Sequence, residues 1–334
     1  MTTFKRVGDM VEKLRFIDLF CGVGGFRSAL ERNGHQCVFS SDLDKDAQHI
    51  YERNFREKPM GDITKISASE IPSHEVICGG FPCQPFSISG NHQGFMDGRG
   101  TLLHEILRIT KYHQPKVLLL ENVKNYQSHD GGKTLAITIR LLEEANYQVN
   151  FKVLNASRFG IAQKRERIYF VCFRKDLKIS DFSFPEPSDE LVSLEDLLLC
   201  PKDPRLKELI IERSDMRLEK ILPKEVENRP MRIGTVGKGG QGERVYSTKG
   251  HAITLSAFGG GIGAKTGMYL VDGRVRRLHP EECRRLMGFP EDFYFHRSRN
   301  VSFKLFGNSV IVPVVSKIFH NIERSLFKKN LKAA

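Results

Sequence analysis

The sequence contains no tryptophan, so no indole is available to stack on a nucleobase. Cysteine is sparse and odd in number, seven among 334 residues without regular spacing. That argues against a disulfide framework and for a reducing compartment. Cys78 and Cys83 are followed by no His/Cys pair at zinc-ligand spacing, so no metal is expected. No apolar run approaches the roughly 20 residues of a membrane span. The opening Met1-Thr2-Thr3-Phe4-Lys5-Arg6 is too polar for a secretory signal. These absences lead to the expectation of a cytoplasmic protein with no membrane partner. Acidic charge is also short, with 40 Asp and Glu against 52 Lys and Arg and a formal net charge of +12. The excess points to a polyanionic partner, and alone it does not separate DNA from RNA or an acidic membrane surface.

What is present is organised around Cys78-Gly79-Gly80-Phe81-Pro82-Cys83-Gln84-Pro85-Phe86-Ser87. A strand-like run ends at Val76-Ile77. The prolines beyond it fix their own φ and turn their predecessors away from helix, so Cys83 sits on a stiff, extended peptide. A thiol at the end of a strand is where an α/β enzyme presents a nucleophile. Taken alone, Cys83 reads more simply as a small buried hydrophobe.

The chain before this loop has the rhythm of a nucleotide-binding sheet. Leu14 to Phe20 reads as a buried first strand, and Cys21-Gly22-Val23-Gly24-Gly25-Phe26 as a glycine turn. A helix follows from Ser28-Ala29-Leu30. The second strand, Gln36 to Ser40, ends at Asp42. A carboxylate there is placed either to bind a ribose diol or to cap the next helix, Lys45 to Phe55. Asp62-Ile63 offers a carboxylate and an aliphatic face for an adenine.

Beyond the cysteine loop, Ser89 to Gly100 is polar and glycine-rich, and we read it as a mobile lid, with Thr101 capping a helix to Tyr112. Lys116 to Leu120 is another buried strand, ending in Glu121-Asn122-Val123. The ends of parallel strands line one crevice, which can bring Glu121 to Cys83. Desolvation there would raise its pKa and suit a general acid, while a structural pairing with Arg is the alternative. Phe151 to Asn155 and Ile168 to Phe173 read as paired strands. Between them Gln163-Lys164-Arg165-Glu166-Arg167 is a solvated run, a phosphate contact or an Arg fork for a carbonyl oxygen.

From about Asp181 the alternation is lost. Two glycine-rich runs, Gly234 to Arg244 and Phe258 to Gly263, suit either a flexible linker or backbone loops pressed on a ligand, with Gln and Arg free for base edges. Strand-like pieces, Arg244 to Ser247 and Ala252 to Leu255, interleave with them. Pro280 to Phe289 reads as a helix, Phe306 to Val310 as a turn, and Pro313 as the start of a last helix.

In order along the chain, DLFCGVGGF, GFPCQPFS, ENV, QKRERIYF, RRLHPEECRRLMGFP and FGNSV resemble the motifs of DNA cytosine-5 methyltransferases. The resemblance covers nearly the whole chain. VGKGGQGERVYSTKG and ITLSAFGGG further resemble the target-recognition loops of bacterial restriction-modification enzymes that methylate the inner cytosine of GCGC. It implies an α/β fold, a doubly wound and mostly parallel sheet of the Rossmann-like S-adenosylmethionine-dependent class, with a smaller glycine-rich recognition domain. The implied boundaries are 1–190 for the catalytic domain, 191–285 for target recognition and 286–334 for a segment returning to the catalytic domain.

By the same resemblance Cys83 is the nucleophile, and Glu121, Arg167, Arg165 and the Phe81 carbonyl act on the cytosine ring. S-adenosyl-L-methionine would meet Phe20, Gly22, Gly24, Asp42, Leu43, Asp62, Ile63 and Asn308. DNA would meet Ser87, Ser89, Gln241, Arg244 and Phe258. Double-stranded DNA is the implied partner of a monomeric enzyme, with a cognate endonuclease acting on the same site without direct contact. Arg244 is a candidate for a guanine edge, or else for phosphate alone. The chain departs from the pattern at Leu43, where an aromatic is usual, at Phe258, where tyrosine is usual, and at Gly263, where a bulkier residue stands. An RNA cytosine-5 methyltransferase of the same fold and an inactive DNA-binding regulator are the competing readings. The long glycine-rich insertion opposes the first, and the intact set of Cys83, Glu121 and Arg167 opposes the second.

Overall fold

The computed structural model describes residues 12–81, 102–188 and 190–332, with side chains described as far as 327. Cys83, Ser87, Ser89, the lid reading and the Thr101 cap therefore lie outside the described residues.

Four short apolar runs form parallel strands: β1 (Arg15–Leu19), β2 (Gln36–Ser41), β3 (Val76–Gly80) and β4 (Val117–Val123). Two longer strands, β5 (Tyr147–Asn155) and β6 (Glu166–Arg174), complete a six-stranded sheet of order β2-β1-β3-β4-β6-β5. In it β6 runs antiparallel to both neighbours. Side chains alternate between the faces, so Val117 and Leu119 enter one core and Leu118 and Leu120 the other. Both faces are covered, which is why these strands read as continuous apolar runs. One face is packed by α1 (Gly25–Glu31), α2 (Lys45–Phe55), α5 (Pro280–Met287), α6 (Arg299–Asn308) and α7 (Val312–Lys332). The other face holds α3 (Leu102–His113) and α4 (Lys133–Glu144).

The chain leaves β1 for β2 on one side and then crosses to β3 on the other. The sheet therefore reverses its winding between β1 and β3, where ligands bind in such folds. α1 begins at Gly25 rather than near Ser28. Gly24, at φ 86°, turns the chain in the left-handed region, and its carbonyl accepts the first helical bond from Ser28 N at 2.8 Å.

A second sheet of order β11-β10-β9-β8-β7 is built from β7 (Arg217–Leu218), β8 (Arg232–Thr235), β9 (Arg244–Ser247), β10 (Met268–Val271) and β11 (Arg274–Arg276). It has its own small core of Ile233, Val236, Val245, Met268 and Val275. Tyr246 and Tyr269 instead join the large core under the first sheet. After β11, the buried Leu278, Cys283, Leu286 and Met287 also belong to that large core.

Two further sequence expectations change. Ala252 to Leu255 makes only an isolated bridge to Gln163. Its backbone groups are taken by the loop before β6, with Ala252 N donating to Ala162 O at 2.8 Å and Arg165 Nη1 to Leu255 O at 2.9 Å. Phe306-Gly307-Asn308 is the last turn of α6, not a free turn, because Phe303, Leu305 and Phe306 present an apolar stripe to the core. Among the described residues the tract 299–327 is long and apolar enough to cross a membrane, but 67% of its most apolar window is buried inside the protein.

Candidate active site

Antiparallel β6 decides where the catalytic candidates meet. It starts where β4 ends, so its first residues pair with the last of β4, Arg167 opposite Val123 and Tyr169 opposite Glu121. Arg167 Nε then lies 3.0 Å from Glu121 Oε1, with both side chains largely buried. On its other side Glu121 is in register with Gly80 of β3. A Cβ at Gly80 would stand 3.3 Å from Glu121 Oε2, so the glycine leaves room for the carboxylate. Phe81 follows, and its carbonyl accepts from Asn122 Nδ2 at 2.8 Å. Glu121, Arg167 and the stem of the cysteine loop therefore come together at one edge of the crevice.

Burial pushes the Glu121 carboxyl above its ordinary value, with Arg167 and then Arg165 pulling it back. The acid reading and the ion-pair reading of this residue are thus both present in one geometry. Arg165 differs from its neighbour. It is buried, and its guanidinium donates to Leu255 O at 2.9 Å, Gly307 O at 2.9 Å and Ser309 O at 2.7 Å. It ties the glycine-rich region and the end of α6 to β6. Both terminal nitrogens are engaged by backbone carbonyls, and the charge still acts on Glu121.

The predicted cofactor residues gather around the β1–β3 switch point. Phe20 adopts φ 55°, a left-handed conformation that is costly for an aromatic residue and characteristic of functional turns. Gly22 follows at φ 54° with open space where a Cβ would be. Asp42 accepts from Gly22 N at 2.7 Å and from Asp44 N at 2.8 Å. Asp44, not Asp42, caps α2, through Asp46 N and Ala47 N, so the cap alternative for Asp42 is excluded. Burial raises the Asp42 carboxyl above the usual range, and the Asp44 and Gly22 N–H groups offset part of the rise.

Backbone bonds between the end of β2 and Met60 bring Asp62 and Ile63 alongside. Asp62 accepts from Thr64 N at 3.0 Å. Leu43 is 64% exposed beside this rim, an apolar side chain with little to cover it. Asn308 arrives from α6 because Gly25 lacks a side chain where Ser309 Oγ and Val310 Cγ2 approach, at 2.9 and 2.6 Å from an ideal Cβ. A Gly22 turn with open space beside it, a carboxylate and an uncovered apolar rim suit a nucleoside-bearing cofactor, while Gly24 packs against Phe55 and Tyr51 of α2.

A cleft of about 480 Å3 separates the two sheets. Arg167 lines it from the first sheet, and Gln241 and Arg244 from the second. Gln241 lies on the one-turn 3-10 helix Gln241–Glu243, and Arg244 opens β9. Phe258 is 76% exposed beyond them. Sequence reasoning did not single out Lys124, Asn125, Pro230, Tyr246, Ile253 and Thr254, which line the same cleft. Lys124 and Asn125 directly follow Glu121-Asn122-Val123, the one signal that pointed to them. Lys124 pairs with Glu166 at 2.8 Å across the mouth. Among the described residues no group of three His, Cys, Asp or Glu is arranged to hold a metal.

The family model for C-5 cytosine-specific DNA methylases matches residues 14–324. The chain belongs to this family. It is 53% identical over 318 residues to the type II methyltransferase M.HhaI of Haemophilus parahaemolyticus, covering 94% of this chain and 95% of that protein. The type II methyltransferase M.NgoBI of Neisseria gonorrhoeae is 43% identical over 303 residues, with 90% of each chain covered. Among solved structures, the S. pombe Dnmt2 methyltransferase shares the fold, with a TM-score of 0.70 at 20% identity over 95% of this chain and 99% of that one. The protein is accordingly a DNA cytosine-5 methyltransferase, and the competing non-enzymatic and RNA-directed readings fall away.

Proposed function

We propose that this enzyme transfers a methyl group to C5 of the inner cytosine of GCGC in duplex DNA, using Cys83 as the nucleophile. The observation that supports this most directly is the Glu121–Arg167 pair. It lies beside the Phe81 stem, on a cleft also lined by Gln241 and Arg244. Cytosine C5 is a poor nucleophile. Addition of the Cys83 thiolate to C6 converts the ring into an enamine, while Glu121 protonates or hydrogen-bonds N3. Arg167 holds the ring O2, and the Phe81 carbonyl, which has a second lone pair beside its bond from Asn122, accepts from the exocyclic amine. Once the enamine carbon C5 carries the methyl group, loss of the C5 proton to water and elimination of the thiolate from C6 restore the aromatic ring and free Cys83. The reacting atoms are inaccessible inside a duplex, so the base is flipped out of the stack.

S-adenosyl-L-methionine supplies the electrophilic methyl group when bound. Asp42 would hold its ribose diol, Asp62 and Ile63 its adenine, with Leu43 on the open rim and Phe20, Gly22, Gly24 and Asn308 closing around it. Ser87, Ser89 and Phe258 would complete the DNA contacts. In this reading the catalytic unit is 1–190 with 286–334 and the recognition unit is 191–285, except that Leu278 and α5, which the second boundary cuts, pack on the catalytic core; the enzyme acts in the cytoplasm as a monomer. A cognate endonuclease would share its site.

Bisulfite sequencing of plasmid from cells expressing the protein tests the site, and methylation elsewhere than GCGC rejects it. For the nucleophile, Cys83→Ser should lower turnover by orders of magnitude and spare DNA binding. DNA carrying 5-fluorocytosine should trap the wild type covalently and leave Cys83→Ala free. Near-normal methylation by the Ser variant would refute the covalent route.

A further inference from the structure

The two glycine-rich segments that carry the recognition candidates touch each other through bare backbone. Gly263 N donates to Gly242 O at 2.8 Å. A Cβ on Gly242 would fall inside the carbonyl oxygen of Gly260 and lie 3.4 Å from the Gly261 Cα. From the other side, a Cβ on Gly261 would stand 3.0 Å from Gly242 O. Gly242 lies between Gln241 and Glu243, two residues before Arg244. Each segment is separately braced. The first is closed by Val236 N on Glu243 O at 2.8 Å and Gly240 N on the Glu243 carboxylate at 2.9 Å. The second is anchored to the catalytic core by Arg165 on Leu255 O and by Gly307, whose missing Cβ lets the Ser256–Ala257 backbone lie on α6.

We propose that the contact of Gly242 with Gly260 and Gly261 is the joint that sets the spacing of the two recognition segments, making Gly242 a positioning residue for sequence discrimination. The inference rests on the proposed reading that Gln241 and Arg244 contact DNA bases. Its logic is steric. Both segments have stiff internal bonding, so a displacement at the joint is passed to Gln241 and Arg244 rather than absorbed. A bidentate base contact tolerates little displacement, whereas the chemistry at Glu121 and Arg167 is built on the first sheet and would be undisturbed.

Three alanine variants of the full-length enzyme test this. Gly242 has no positive φ, so Gly242→Ala introduces a clash without backbone strain. Gly263→Ala meets Met268 Cγ at 2.8 Å and Gly242 O at 3.0 Å, a milder displacement at the same joint. Glu225→Ala, at an exposed position of the recognition unit outside both segments, is the control.

The site methylated by the wild type is mapped first, so failure of the GCGC reading is seen independently. kcat/KM is then compared on that site and on duplexes with one base pair changed. Gly242→Ala should narrow the discrimination about tenfold or more, within the range of one lost bidentate contact. The loss should appear in KM for DNA, with kcat at saturation and S-adenosylmethionine binding within about twofold of wild type, as expected for lost uniform binding. Gly263→Ala should show a smaller loss of the same kind, and Glu225→Ala none. Unaltered discrimination in Gly242→Ala, a parallel fall in kcat, or an equal effect of Glu225→Ala would overturn the proposal. If Gly242→Ala does not fold, Gly263→Ala carries the decision, and wild-type discrimination in that variant overturns it.

Discussion

At the edge of the first sheet a carboxylate and a guanidinium, Glu121 and Arg167, are held by strand register, burial and one ion pair. Across the cleft, Gln241 and Arg244 are held by backbone, on a sheet whose own core has only five fully buried apolar residues. The difference follows from what each region does. Proton transfer needs a displaced pKa, and displacement needs desolvation, which a sheet covered on both faces provides. Base reading needs donors that remain available until DNA arrives. Loops with little side chain of their own present such donors and still fix their position. One region stores its function in electrostatics, the other in geometry.

The comparison is broken most severely at Glu121. Glu121→Gln keeps the shape and removes the acid, and should lower kcat about 10²–10⁴-fold while sparing DNA binding. Because burial raises this carboxyl, the protonated form persists above the ordinary glutamate range. The wild-type rate should therefore fall with rising pH along a limb displaced upward from that range, and pH–rate profiles should show that limb missing from the Gln variant. A wild-type limb at the ordinary glutamate value would mean that Arg167 outweighs desolvation.

Arg244→Ala tests the geometric side. It should cost about 1–3 kcal/mol of discrimination at one base pair, read as relaxed bisulfite patterns beside weaker binding. If binding weakens equally on all sequences, with the salt slope reduced by about one, Arg244 touches phosphate only.

The third effect lies away from both. Asp42→Ala should raise KM for S-adenosylmethionine about tenfold or more, consistent with about 1.5–3 kcal/mol for a charge-assisted contact. Cofactor titration with unchanged affinity would confine Asp42 to bracing Gly22 and Asp44, the two N–H groups it already holds.

Much of this was legible in the chain. Residues within short range declare themselves: the apolar runs of β1 to β4, the glycine turn after β1, and the α2 helix, whose observed bounds Lys45–Phe55 match the pattern. Reactive residue types at strand ends were also readable, since sheet topology makes strand ends converge. The misreadings share a cause. The last turn of α6 reads as a loop in the sequence because Gly307-Asn308 carries a turn signal, and only the Ser256–Ala257 backbone lying on that helix explains the glycine. Ala252 to Leu255 has the composition of a strand, but Gln163 and Arg165 occupy its backbone groups.

The sequence by itself determined which groups this enzyme has to work with and the order in which strands and helices carry them. Local patterning needs only neighbours within a few residues, so one chain suffices to read it. Tertiary structure alone decided that Arg165 stitches the core while Arg167, two residues on, faces the cleft. It also decided that Asp42 is held by Gly22 of the first turn, and that two glycine segments meet at Gly242. Each of these depends on what a distant segment places within contact, and in these three cases the local sequence carried no sign of that neighbour.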